Sequence, residues 1–457
     1  MADAPVPAPF FEWRLLPHKL WRLIRMPLLA ILLAFVVGGL VIWVTSGSLA
    51  TVADAYIGLA RGAFFKQRGF SETLVATTPY IFLSLAIAVG FKTGLFNIGV
   101  EGQFTIGSVC AAWAGVAFRG LPAIIHLPLV LLIGALGGAI WAAIPGYLKA
   151  RTGAHEVIIT MMMNYIAFRL AEYLISVPLR DSSSTGVQTN RIAPAAELWT
   201  LAAFPERLQD PSNALMLALV IALVVMICAR FLLKTDRFAA RFANVNQRIL
   251  YVSAGLLAGL LNFFALPPLT RLWWPFTDQY DRLHAGLFLA IFAAVGVWWL
   301  LWKTTIGFEL RMVGANPQAA RYAGVNITRS IILSMAISGA LAGLAGAVEV
   351  LGVSICRCLP LFFSSGYGWD SIGIALLARN NPFGILATSL LFGAMRNGAD
   401  LMELNSGVSK YIISLIQALV LLFVSAPVIV RWVYRIKGTS ESDEDTPLTT
   451  TSWGGKL

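Results

Sequence analysis

Nowhere does this chain read G-x-x-x-x-G-K-[ST], so it supplies no P-loop to cradle a nucleotide triphosphate. His155-Glu156 lacks the second histidine of H-E-x-x-H, which leaves a zinc peptidase without support. The four cysteines include no C-x-x-C pair and offer neither a disulfide framework nor a zinc site. Cys356 and Cys358 stand only two positions apart, where a bridge would be strained, and are expected as free thiols. No nucleophile–base set or metal-ligand set emerges, so no enzyme is indicated. Charge is scarce too: 12% of residues are charged against 58% hydrophobic, and mean hydropathy is +0.75, outside the usage of soluble proteins. The excess of 34 Lys+Arg over 23 Asp+Glu would suit nucleic acid. The basic residues, however, sit at the ends of apolar runs, where membrane topology puts them, so lipid is the expected partner and nucleic acid is not.

What the chain has in abundance is apolar runs of about 18–23 residues, each long enough to span a bilayer as helix. They occur at 27–45, 73–91, 122–144, 157–177, 214–233, 249–266, 287–302, 331–351 and 412–430. With the intervening broken segments, an all-α polytopic membrane protein of about twelve transmembrane helices is expected, some of them re-entrant or broken. Arg14, Lys19, Arg22 and Arg25 place residues 1–26 in the cytoplasm, ahead of a first helix that no cleavage site removes. Residues 49–70, with Arg61, Lys66 and Arg68, are expected along the outer interface. Residues 178–212 are polar and form an outer loop. The runs within 213–266 form a helical hairpin whose connection carries Arg230, Lys234, Arg237, Arg241 and Arg248 against Asp236, an asymmetry that puts it inside. Trp273-Trp274 suit the outer interface, and the transmembrane domain expected over 27–437 ends in a polar, disordered cytoplasmic tail at 438–457.

Two stretches interrupt the apolar pattern with glycine and acid. In GLFNIGVEGQFTIGS, glycines at 94, 99, 102 and 107 flank Asn97, Glu101 and Gln103. Glycine at that density breaks helix, and broken helix at membrane depth survives only where protein covers it or it lines a cavity. GYGWDSIGIALLAR repeats the theme around Asp370. Asn97, Glu101, Gln103, Asn164 and Asp370 are candidates for a solute path or gate. The competing reading is that Glu101 only anchors the fold through hydrogen bonds, and both stand. The methionines 161–163 read as packing. Ser338, Gly339, Ala342, Gly343 and Gly346 would let neighbouring helices approach closely.

Between two apolar runs, residues 303–329 must lie in water or against a partner. Here Asn316 is placed to cap a short helix, Pro317 takes its first position, and Gly324 stops it. About two turns, roughly 11 Å, are too short to stand alone. The pattern G-x-E-x-R…G-x-N-P-x-A-A-R-x-A-G, carried by Gly307, Glu309, Arg311, Gly314, Asn316, Pro317, Ala319, Ala320, Arg321 and Gly324, resembles the cytoplasmic coupling segment of permeases in ribose-type ABC importers. GLFNIGVEGQFTIGS and HEVIITMMMNYIA (155–167) are similar to the nucleoside branch, and the likeness covers most of 71–430 apart from the hairpin. The resemblance implies a permease in a bacterial inner membrane, with both termini cytoplasmic. Its implied partners are an ABC ATPase that binds the ATP and magnesium, a second related permease, and an extracytoplasmic solute-binding lipoprotein delivering a nucleoside. This chain would hold no cofactor. Two alternatives stay open: the same machine for a simple sugar or branched-chain amino acid, and a stand-alone carrier using Glu101, Glu172, Glu349 or Asp370 for protons.

Overall fold

The computed structural model describes residues 16–233, 247–272, 276, 278–364 and 366–434. Arg14, the hairpin connection with Lys234, Asp236, Arg237 and Arg241, the Trp273-Trp274 pair and the tail from 438 lie outside the described residues. In lipid each backbone N–H and C=O must find its partner within the segment, and helix is the simplest way to do so. The chain accordingly runs α1 Leu16–Ser46, α2 Leu49–Ala60, α3 Gly69–Lys92, α4 Val100–Ala117, α5 Ala123–Thr152 and α6 Glu156–Ser176. After a long loop come α7 Pro211–Leu233, α8 Gln247–Leu272, α9 Gly286–Lys303, α10 Thr305–Ala315 and α11 Pro317–Tyr322. The last group is α12 Ile327–Val348, α13 Tyr367–Leu377, α14 Pro382–Ser406, α15 Tyr411–Ser425 and α16 Pro427–Val433. The described residues contain isolated bridges and no strand.

Seven helices among the described residues are long and apolar enough to cross a membrane, or eight if α15 and α16, bent by 93°, count as one span. The expectation of about twelve is met only that far. Among the other helical segments, α4 has 18 residues and α13 has 11, both starting from broken backbone, and α14 carries Arg396, Asp400 and Glu403. Much of α4 and α13 is buried against protein, which relaxes the demand for length and uniform apolarity.

The interior is built on α3 and α12, buried along 83% and 61% of their apolar windows, whereas α8 is buried along only 11% and lies at the periphery. The small residues on α12 do what their spacing predicts. A Cβ on Gly343 would collide with Gly134 O of α5, and one on Gly339 would collide with Gly138 O. Only glycine lets these two backbones cross so closely, and van der Waals contact at that distance is the main attraction available between helices in lipid. The hairpin helices α7 and α8 pack on each other, Gly255 against Met226 and Gly259 against Ala222, and reach the remainder mainly through α5.

Residues 49–70 pack against α14. α2 continues into a π-helical turn, Arg61–Phe65, whose Gly62 and Ala63 are buried beside α14. The loop after α6 is tied to the loop before α13 by backbone bonds: Thr189 N–H to Leu359 O at 3.0 Å and Ile192 N–H to Arg357 O at 2.9 Å. In that second loop the expectation of free thiols fails, because Cys356 and Cys358 form a disulfide with Cα atoms 5.1 Å apart. Arg357 between them takes a left-handed conformation, φ 52°.

Candidate translocation site and coupling segment

The first broken segment owes its shape to amides. Asn97 Nδ2 donates to Gln103 Oε1 at 3.0 Å and to Ser338 Oγ of α12 at 2.9 Å. Its Oδ1 accepts from Gln103 Nε2 and from the Gly99 N–H, both at 3.0 Å. Asn164 reaches in from α6, donating to Ile98 O at 3.0 Å and accepting the Gly102 N–H at 2.8 Å. The bends at 94–99 strip backbone groups of helical partners, and these side chains replace them. Asn97, Gln103 and Asn164 are buried and turned toward each other and the backbone. They form one locus, which positions the break.

Glu101 belongs to another. It is buried at the start of α4 and accepts the Ser364 hydroxyl and the Gly368 N–H. The carboxylate therefore meets the N-terminal turn of α13, where orphan N–H groups and the helix dipole favour negative charge. Two residues beyond Gly368, Asp370 Oδ2 accepts the Tyr80 hydroxyl from α3 at 2.7 Å. Arg396 of α14 donates to that same hydroxyl oxygen at 3.1 Å, and its guanidinium lies 4.0 Å from the centre of the Tyr367 ring. The rings of Tyr80 and Tyr367 meet edge to face at 4.9 Å. Glu349 closes the group from the π-helical turn Glu349–Val353 that ends α12, within electrostatic reach of Arg396 and Glu101. Glu101 and Asp370, 269 positions apart in the chain (370 minus 101), thus share one junction between two broken segments.

Tyr80, Ser364, Tyr367 and Arg396 were not singled out by sequence reading. A signal for Arg396 existed: an arginine following the apolar run 383–395 is an ionisable group inside a span and a functional pointer in its own right. Tyr80 left no such trace, because a tyrosine within apolar sequence is ordinary.

Residues 303–329 contain the capped helix their sequence predicts. Asn316 Oδ1 accepts the N–H groups of Gln318 and Ala319, both at 3.0 Å, Pro317 starts α11, and Gly324 follows it at φ 81°. A second capped helix, α10, precedes it: the Thr304 hydroxyl accepts the Gly307 N–H at 3.0 Å. The ten pattern residues divide by task. Gly307 packs directly on Leu300 O, Arg311 Nε donates to Leu301 O at 2.9 Å, and Gly314 rests on Thr93, so these three hold α10 to α9 and α3. Glu309 is half-buried on α10. Ala320 is fully buried within the chain, because α11 needs an inward face to be stable at all. Pro317, Ala319 and Arg321 are exposed, and so is Tyr322, at 94% an unusually bare aromatic.

A helical bundle with several spans, two broken segments meeting at a buried polar junction, and a capped helix projecting from one end has the architecture of a polytopic transport protein. The chain belongs to the family described as branched-chain amino acid transport system / permease component, which matches residues 69–238 and 212–425. It is a multi-pass membrane permease subunit. It is similar to the guanosine ABC transporter permease protein NupP of Bacillus subtilis, 36% identical over 89% of this chain and 94% of that protein. The nucleoside ABC transporter permease protein NupB of Lactococcus lactis is 30% identical over 90% of this chain and 93% of its own length. A glucose ABC transporter permease protein of Haloferax volcanii is 30% identical over 88% of this chain and 87% of its own length. No solved structure matches.

Proposed function

We propose that the chain is the permease subunit of an ATP-driven importer for nucleosides. Similarity along about nine-tenths of the chain to permeases named for guanosine and for nucleosides carries this reading. The exposed face of α11, Pro317, Ala319, Arg321 and Tyr322, supports a docking site for a separate ATPase. That partner binds the ATP and magnesium. A second related permease completes the translocation path, and an extracytoplasmic lipoprotein delivers the solute on the side of the 178–212 loop. Both termini are cytoplasmic and the membrane is a bacterial inner membrane. No bond is made or broken in this chain. Its work is to favour one of two arrangements of the bundle when the ATPase closes and the other when it opens. Glu101 and Asp370, with Tyr80, Tyr367 and Arg396, form the gate. Asn97, Gln103 and Asn164 position it.

A second reading, import of a simple sugar, is favoured by the glucose permease relative. Reconstituting the complex in proteoliposomes decides between them. ATP-dependent uptake of labelled guanosine, resisted by excess glucose and competed by other nucleosides, is expected. Uptake of glucose in place of guanosine would favour the sugar. Transport by the purified chain alone under an ion gradient would remove the importer reading altogether.

A further inference from the structure

Gly314 ends α10 directly on the break between α3 and α4. A Cβ there would collide with Lys92 O and lie 2.9 Å from Thr93 C and 3.0 Å from Gly94 N. The contact is reciprocal, since a Cβ on Gly94 would sit 3.3 Å from Gly314 Cα, and Gly94 has φ 74°, a conformation that favours glycine. Around this backbone-on-backbone contact, Lys92 Nζ lies 5.8 Å and the Arg311 guanidinium 5.9 Å from the centre of the Trp302 ring. Behind it, the break is tied to α12 at two successive turns: the Ser334 hydroxyl donates to Thr93 Oγ1 at 2.8 Å, and Asn97 donates to Ser338 Oγ at 2.9 Å. From Asn97 the bonds run to Gln103 on α4, whose first turn carries Glu101 and through it the start of α13.

We propose that the Gly314–Gly94 contact is where motion of the coupling segment enters the gate, so that Gly314 is a positioning residue for transport. This rests on the importer reading above. The receiving element is the α3–α4 break, more than 200 positions earlier in the chain, which meets α10 backbone on backbone, whereas α12 touches α10 and α11 as their neighbour in sequence. The geometry favours this route. α11 has only Ala320 buried, so it can move with a partner, and α10 is locked to α9 by Gly307 and Arg311 and can deliver that motion only through its far end. A contact between two backbones has no side chain to absorb displacement. A shift at Gly314 therefore reaches residues 93–97 undiminished, and the amide bonds pass it to Glu101.

The test uses the complete importer complex in proteoliposomes, with solute uptake and ATP hydrolysis measured together. Gly314→Ala is expected to lower uptake at least tenfold while basal hydrolysis stays within twofold of wild type and loses its response to loaded binding protein. Uptake and response within twofold of wild type would overturn the proposal. Should Gly314→Ala fail to assemble, a Thr93→Cys/Ser334→Cys pair in a chain with all native cysteines replaced by serine decides it. Oxidation should lock the break to α12 and abolish uptake, reduction should restore it, and each single variant should transport. Undiminished uptake by the locked pair would also overturn the relay. A wild-type complex without ATP-driven uptake would instead count against the importer reading itself.

Discussion

Glu101 holds the junction by accepting two donors with one carboxylate. In Glu101→Gln the amide oxygen can accept the Gly368 N–H and the NH₂ can donate to the rotated Ser364 hydroxyl, so the bonds keep their places but lose any strengthening that charge on the carboxylate gives them. Uptake is expected to fall tenfold or more while the subunit reaches the membrane at wild-type level, as read by transport assays beside quantitative immunoblots. Unchanged transport would return Glu101 to a purely structural role. His284 makes a different argument. It is buried in the loop before α9, its Nδ1 accepting the Gly286 N–H at 3.1 Å. Burial, with the charges of Arg357 and Arg282 adding to it, pushes its pKa down to about 3. Folded, it stays neutral; unfolded, it takes a proton below the ordinary histidine value of about 6.5. Its stabilising contribution is therefore complete above about pH 6.5 and is lost at roughly 1.4 kcal/mol per pH unit as pH falls toward 3. Thermal melts of detergent-solubilised protein at pH 7.5 and 5.0 should differ less in His284→Asn, which keeps an acceptor for Gly286, than in wild type.

Among elements, the crossing of α5 and α12 is the most exacting contact. Gly343→Val forces a side chain against Gly134 O, an overpacking that costs typically 1–3 kcal/mol and more where backbone must move. Gly296 on α9 is the control, because a Cβ there meets nothing within 4 Å and alanine improves helix propensity. The melting temperature of Gly343→Val is expected to drop by several degrees and that of Gly296→Ala to hold or rise. Equal melting of the two would show that the close approach carries no strain. The sequence reading located this element correctly, since the small residues of α12 recur at helical spacing. It missed α10, TIGFELRMVGA, whose cap at Thr304 went unread and which tertiary contacts to Leu300 and Leu301 hold in place.

At the scale of the whole molecule, the two ends of the bundle must face opposite compartments. Ser183 in the loop after α6 and Gln318 on α11 are both exposed. In a cysteine-free background, Ser183→Cys should react with an impermeant maleimide on intact cells and Gln318→Cys only in inverted vesicles. Labelling of both from outside would reverse the orientation of the coupling segment. Replacing Tyr322 with glutamate, which removes the largest apolar surface on α11 without touching the interior, should cut ATP-dependent uptake severalfold and leave the subunit's melting temperature unchanged.

The all-α membrane class, the capped α11 and the small-residue face of α12 were written in consecutive residues, because span length, helix caps and helical periodicity are local properties with local signals. What the tertiary structure alone decided are the pairings. Glu101 finds Gly368 across 267 positions, Asn97 finds Ser338 across 241, and Gly314 finds Gly94 across the whole central part of the chain. The Cys356–Cys358 bridge, around a left-handed Arg357, is likewise something residue spacing could not disclose. Sequence showed that buried polar groups existed and would need partners. Which partners they took depended on how helices cross, and crossing is decided by the summed shapes of surfaces that no single stretch contains.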